Sequence, residues 1–285
     1  MAWVRRGVDG LLSLLVALAV VGVMAVLAWV LGYVSYRGGT QILRGGWAIF
    51  TALPPAPLGG VGGFGPALVG SLILITLAVG MALPVSVLAA LYLSEFCAFS
   101  WLVQVLNLGL DILAGIPSIM AGVFIFGVVI VHTRTFSALA GSLALALLIM
   151  PILTTATRLA LGAVPGEIRQ GAWALGATRW QMVTGILLPQ AWPAIVSGLT
   201  LGIARAVGET APLLFTALFS SYYLPVQALG IPALFTQPLA SLPVLIYTFA
   251  LSPFANQQDL AWAAALVLIL CILGLNLLAR WGERT

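Results

Sequence analysis

Apolar residues in this chain are gathered into long runs, and charge falls mostly between the runs rather than on an opposite helix face. A helix needs about 20 apolar residues to cross about 30 Å of hydrocarbon. Four uncharged runs pass that test cleanly: Leu11 to Tyr33, Val69 to Leu93, Phe136 to Thr157 and Leu260 to Ala279. A fifth, Val105 to Val131, contains Asp111 and is interrupted at Gly115-Ile116-Pro117-Ser118. Proline lacks a backbone donor and crowds the turn before it, so Gly115 and Pro117 predict a crossing with a break. A sixth, Leu187 to Phe219, is longer than one straight crossing requires and carries Arg205, Glu209 and Pro212. The pattern predicts an all-α polytopic membrane protein with six transmembrane helices.

The uncharged stretch Ser220 to Gln258 holds Pro225, Pro232, Pro238, Pro243 and Pro253, too closely spaced for an unbroken helix of membrane length. It reads as an external loop, as does Tyr36 to Pro66 with its Pro/Gly-rich run from Leu53. Six spans place both termini in the cytoplasm. Arg5, Arg6, Arg158, Arg169, Arg179, Arg280 and Arg284 then lie inside and Arg37, Arg44 and Arg134 outside, as the positive-inside rule requires. Trp3, Trp29, Trp47, Trp101 and Trp281 lie near proposed span ends, where interfacial anchors belong. Only 6% of residues are charged, and the net +4 comes from scattered arginines with no lysine, so it carries topology rather than a nucleic-acid footprint. Cys97, beside Glu95 at a segment end, and Cys271, inside an apolar run, form neither a disulfide framework nor a CxxC site. The run after Arg5-Arg6 is too long for a signal core and remains as an anchor.

Between the fourth and fifth spans lies a cytoplasmic segment with helix signals of its own. Pro165 suits a first helical turn, Gly176 can end that helix, and Thr178 with Gln181 forms a capping-box signature for a second. Trp180, Val183 and Leu187 recur at helical spacing, an apolar stripe that calls for a partner. Gly176 is followed after nine residues by Ile186-Leu187-Leu188-Pro189. This resembles the signature of ABC importer permeases: Glu-Ala-Ala, three residues, Gly, nine residues, Ile-x-Leu-Pro. Gln170-Gly171-Ala172 stands where the family has Glu-Ala-Ala. The resemblance implies that Gln170, Ala172, Gly176, Ile186, Leu188 and Pro189 dock a cytoplasmic ATPase, with Glu167 one turn earlier as a substitute polar anchor.

Arg205 and Glu209 sit four residues apart in the fifth span, within reach on one helix face. Charges near a bilayer centre are expensive, so both must face protein or water. Pro212 cannot donate to the Gly208 carbonyl, which predicts a local distortion beside Glu209. A buried ion pair that fixes packing describes these residues as well as an anion site does. Ala204-Arg205-Ala206-Val207-Gly208-Glu209-Thr210-Ala211-Pro212-Leu213-Leu214-Phe215-Thr216-Ala217 resembles the fifth-span signature of PstA-type phosphate permeases. That resemblance extends over roughly Val69 to Arg280, through Leu113 to Ile119 in the broken span and Ser241 to Val244, Leu251 to Phe254 and Leu275 to Arg280. It implies type I ABC importer permease architecture in the bacterial inner membrane and a phosphate path that includes Arg205, Glu209 and Thr210.

By the same resemblance, residues 1–68 are an anchor span and external loop, and residues 69–285 the permease core with its coupling loop at 164–189. The chain is then a transport subunit and not an enzyme. Its expected partners are a PstC-type sister permease, two copies of a PstB-type ATPase and an external PstS-type phosphate-binding protein. The chain itself binds no cofactor; ATP and magnesium belong to the ATPase. The glycines at 59, 60, 62, 63 and 65 are not followed by Gly-Lys-Ser/Thr and form no phosphate-binding loop. Permeases for molybdate, sulfate or phosphonate share the docking signature and are the alternative. A membrane-embedded hydrolase would need a nucleophile with a base or paired carboxylates in adjacent spans, and the sequence has no Gly-x-Ser-x-Gly, no His-Glu-x-x-His and no histidine in any span. His132, the only histidine, falls in a short external turn and reads as a solvated side chain. Asp111 reads as a polar residue near the interface.

Overall fold

A computed structural model describes the backbone of residues 2–60, 62–96 and 99–282. Cys97 and Arg284 lie outside these residues, as do the side chains of Trp3, Arg5, Arg6, Arg280 and Trp281. The elements in chain order are α1 (Ala2–Gly45), α2 (Gly65–Leu91), α3 (Ser100–Gly115), α4 (Ser118–Ile125), α5 (Val131–Thr133), α6 (Ala138–Ala163), α7 (Gly166–Ala174), α8 (Arg179–Met182), α9 (Leu188–Val207), α10 (Ala211–Thr216), α11 (Val226–Leu229), α12 (Ala233–Thr236), α13 (Leu242–Ala250) and α14 (Ala255–Gly282). Among the described residues five helices are long and apolar enough to cross a membrane, and six crossings result if α3 and α4 with their extension form one bent span.

The centre of the bundle is α6, packed against α2 on one side and α9 on the other. Small residues let these helices approach closely: Ala78 and Ala82 of α2, Ala146 and Ala160 of α6, and Ala191 and Ala206 of α9 all lie in one buried cluster. Prolines 84, 151 and 193 sit inside α2, α6 and α9. Neighbouring helices can re-satisfy the backbone groups that such prolines free.

Two boundaries differ from the sequence pattern, and one break falls where the sequence places it. The first helix does not stop near Tyr33; it runs on through Gly45, 44 residues in all, or about 66 Å at 1.5 Å per residue. Its last turns are helical because they have something to pack on. Tyr33 meets Trp262 edge to face at 5.2 Å, and Arg37 pairs with Asp259 at 3.1 Å. Ile49, Phe64 and Ala67 share a buried cluster with Leu245, Phe249 and Ala261, so the segment after α1 packs directly against α13 and α14.

The interruption at Gly115 to Ser118 is sharper than a kink: α3 and the helix that starts with α4 meet at 104°. Ile116 and Pro117 are both extended there.

The stretch 220–258 is not wholly an external loop. Its prolines do forbid a membrane-length helix, but α13 is a nine-residue helix whose Leu242, Pro243, Val244, Leu245 and Phe249 are buried. It packs on α14 and α2, and the Ser71 hydroxyl accepts the Leu242 N–H at 2.8 Å. Gly70 permits the approach, since a Cβ there would lie 1.9 Å from the Ala240 carbonyl oxygen.

Candidate functional site

The fifth crossing is broken where the charged residues sit. Helix α9 ends at Val207, and Gly208 and Glu209 donate to the Arg205 and Ala206 carbonyls at 3.1 and 3.2 Å. This tightening to i→i+3 bonds is how a helix end satisfies its last acceptors. The chain resumes at α10 with Pro212 in its first turn, where a missing N–H costs nothing. Arg205 and Glu209 therefore do not share one continuous helix, yet the pair survives the break. The Arg205 Nε lies 3.5 Å from Glu209 Oε1, with the arginine side chain 47% exposed and the glutamate 16%.

That arrangement leaves the Nη edge of the guanidinium without a hydrogen bond among the described residues, the edge that binds oxyanions bidentately. Glu209 fixes one side of the group and reduces its net charge. Thr210, at the N-terminal boundary of α10, makes no capping bond with its side chain. The break rests on the other broken element: a Cβ at Gly122 of α4 would lie 2.5 Å from the Pro212 Cα, so only glycine allows this contact. Gly115 and Pro117 thus shape the helix that braces Pro212.

The loop at 164–189 has the helix-turn-helix form its residues predict. Gly176 has φ of +80°, and the Thr178–Gln181 capping box is complete in both directions. The stripe at Trp180, Val183 and Leu187 does not await a partner along its length. Val183 and Leu187 are fully buried in this chain's own core, because α8 continues through a π-type turn at Val183–Leu187 directly into α9.

The residues assigned to ATPase docking divide between two faces. Ala172 is buried and Ile186 and Leu188 are half-buried against the core, holding the loop in place. Glu167, Gln170, Gly176 and Pro189 are exposed, in company with Trp173 at 54%, Leu175 at 90% and Trp180 at 59%. These exposed aromatic and aliphatic side chains share the loop surface with the exposed polar ones.

Two contacts escaped the sequence reading. Arg169 of α7 forms an ion pair with Glu95, at the end of the π-type turn Tyr92–Phe96 that closes α2. Arg158 of α6 donates to Asn107 of α3, not to Asp111, which is exposed on the same helix. Both join residues more than 50 positions apart, and only the isolated charge at each span end could have hinted at them.

The site as a whole is a helical membrane bundle with a broken, charge-bearing crossing and a capped helical loop at its edge. Chains of the MetNI methionine ABC transporter in inward facing conformations share the fold: TM-score 0.58, 20% identity, 77% of this chain and 92% of that one. An amino acid ABC transporter solved with histidines gives a TM-score of 0.52 at 18% identity, over 76% and 89% of the two chains. Residues 82–285 match the family described as binding-protein-dependent transport system inner membrane component. The phosphate transport system permease protein PstA of Yersinia pestis is 42% identical over 82% of this chain and 76% of its own length. PstA of Pasteurella multocida is 38% identical over 81% and 80%. The probable PstA of Methanocaldococcus jannaschii is 39% identical over 78% and 76%. This chain belongs to that inner membrane component family, within its PstA branch.

Proposed function

We propose that this chain is one membrane-spanning half of an ATP-driven importer and carries inorganic phosphate inward. The observation that carries the reading is the half-exposed Arg205 fork, held on one side by Glu209 at a break between two helices. A phosphate oxygen pair can bridge the free guanidinium edge, while the adjacent carboxylate keeps the attraction weak enough for release. The broken crossings supply the elements able to change angle when access alternates between the two sides. Relatives named for phosphate transport support phosphate as the cargo.

In this reading both termini are cytoplasmic and the loop at 164–189 faces a PstB-type ATPase, present in two copies, where ATP and magnesium are used. A PstC-type permease forms the second half of the path, and a PstS-type phosphate-binding protein delivers the anion from outside. Uptake of labelled phosphate by membrane vesicles, with the binding protein added, tests the whole reading. Vesicles with this chain should accumulate phosphate in preference to sulfate or molybdate, and vesicles without it should not. Equal accumulation in both, or preference for another oxyanion, would overturn it.

A further inference from the structure

The turn Tyr92–Phe96 that closes α2 is wound with π-type spacing, a geometry that concentrates at functional positions. Two of its side chains are engaged by the docking loop, one by each loop helix. The carboxylate of Glu95, only 7% exposed, pairs with an Nη of Arg169 on α7. The other Nη of Arg169 donates to the Leu161 carbonyl in the last turn of α6 at 2.6 Å, an oxygen that also accepts the Val164 N–H at 3.3 Å. Phe96 receives α8: the Arg179 guanidinium lies 6.0 Å from its ring centroid and the Trp180 ring 6.5 Å away. None of these five side chains (Glu95, Phe96, Arg169, Arg179, Trp180) holds a fixed position of the docking signature.

We propose that the Glu95–Phe96 turn is where movement of the docking loop enters the membrane-spanning helices, with Arg169 as the positioning residue. One guanidinium ties α7 to the ends of α2 and α6 at once. Those two helices pack together, and α6 packs on α9, which carries Arg205. A displacement of α7 is thereby handed to the pair that frames the anion path. Ile168 and the buried Ala172 hold α7 on the core by packing alone. Removing the charge pair therefore leaves the loop docked and loosens only its link to the spans.

This inference rests on the loop docking an ATPase, and the test separates the two. The complete transporter, with sister permease, ATPase and binding protein, is reconstituted in proteoliposomes, and retained ATPase, ATP hydrolysis and phosphate import are measured together. Glu95→Gln keeps the shape and an acceptor but removes the charge. It should retain the ATPase and its hydrolysis within about twofold while phosphate imported per ATP falls about 3- to 30-fold, the span that single coupling contacts carry. Arg169→Lys keeps the charge but loses the planar fork that reaches both acceptors, so it should fall between wild type and Glu95→Gln. Unchanged import per ATP in Glu95→Gln overturns the proposal, and so does import that drops only in proportion to assembled complex. Trp173→Asp, on the loop's exposed face, should release the ATPase. If the ATPase stays bound in that variant, the docking reading itself fails and the proposal falls with it, whatever Glu95→Gln does.

Discussion

Two arginine–carboxylate pairs in this molecule are built for opposite ends. In the pair Arg169–Glu95 the guanidinium is used on both sides, by a nearly buried carboxylate and by a helix-end carbonyl. In Arg205–Glu209 only Nε faces the carboxylate, the separation is 3.5 Å, and the arginine is half exposed. A closed pair gives up its binding capacity and fixes the position of an element. An open pair keeps a charged edge available and can hold a passing anion. The chemistry of the two side chains is the same, and their surroundings decide which role each pair serves.

The largest effect that would sharpen this contrast is on transport through the open pair. Arg205→Lys keeps the charge and removes the fork, so phosphate uptake per assembled complex should fall by about tenfold or more. Glu209→Gln should act more gently and differently, lowering both KM and kcat several-fold because a less neutralised arginine releases its anion more slowly. Radiolabelled uptake, normalised to complex recovered by affinity purification, checks both. Uptake lost only in step with lost complex would make the open pair a packing device like the closed one.

Stability should reverse the ranking. Glu95→Leu strands Arg169 in a largely covered site and should lower the unfolding free energy of the purified complex by about 2 kcal/mol, below the range for fully buried pairs because the arginine keeps some contact with water. Glu209→Leu should cost less than about 1 kcal/mol, since Arg205 is exposed enough to be solvated and screened. Thermal unfolding in one detergent measures the two side by side. Equal losses would mean that the open pair is sealed when the second permease half is present.

The open pair was legible in the sequence because its members are four residues apart and followed by Pro212. The closed pair was not, because Glu95 and Arg169 are separated by 74 residues and no periodicity connects a span end to a loop. The same distinction governs the fold. Run lengths located the spans, and local stereochemistry located the breaks at Pro117 and near Pro212, the capping box at Thr178 and the turn at Gly176. Burial of Val183 and Leu187 depended on α8 continuing into α9, and burial of α13 on its fit against Gly70, Ser71 and α14. Nothing short-range encodes those contacts. The long first helix is a case between the two: its apolar run ends near Tyr33, and the further turns are supported by Trp262 and Asp259, more than 200 residues away.

The smallest effect expected concerns Gly176, where the docking loop reverses between its helices. A Cβ at this position would meet nothing within 4 Å, so space is not what excludes other residues. The constraint is φ of +80°, which β-branched residues rarely adopt and asparagine tolerates well. Gly176→Asn should therefore cost about 1 kcal/mol or less in the local turn and leave ATPase retention and phosphate import near wild type. Gly176→Val should move the turn, shift Trp173 and Leu175 relative to Trp180, and reduce the ATPase recovered with the complex, while Arg169–Glu95 continues to hold α7. Co-purification of the ATPase with each variant, beside import per ATP by whatever complex assembles, separates loss of docking from loss of transmission. If valine reduced import per ATP without reducing bound ATPase, Gly176 would belong to the transmission route with Arg169 instead of to the docking surface.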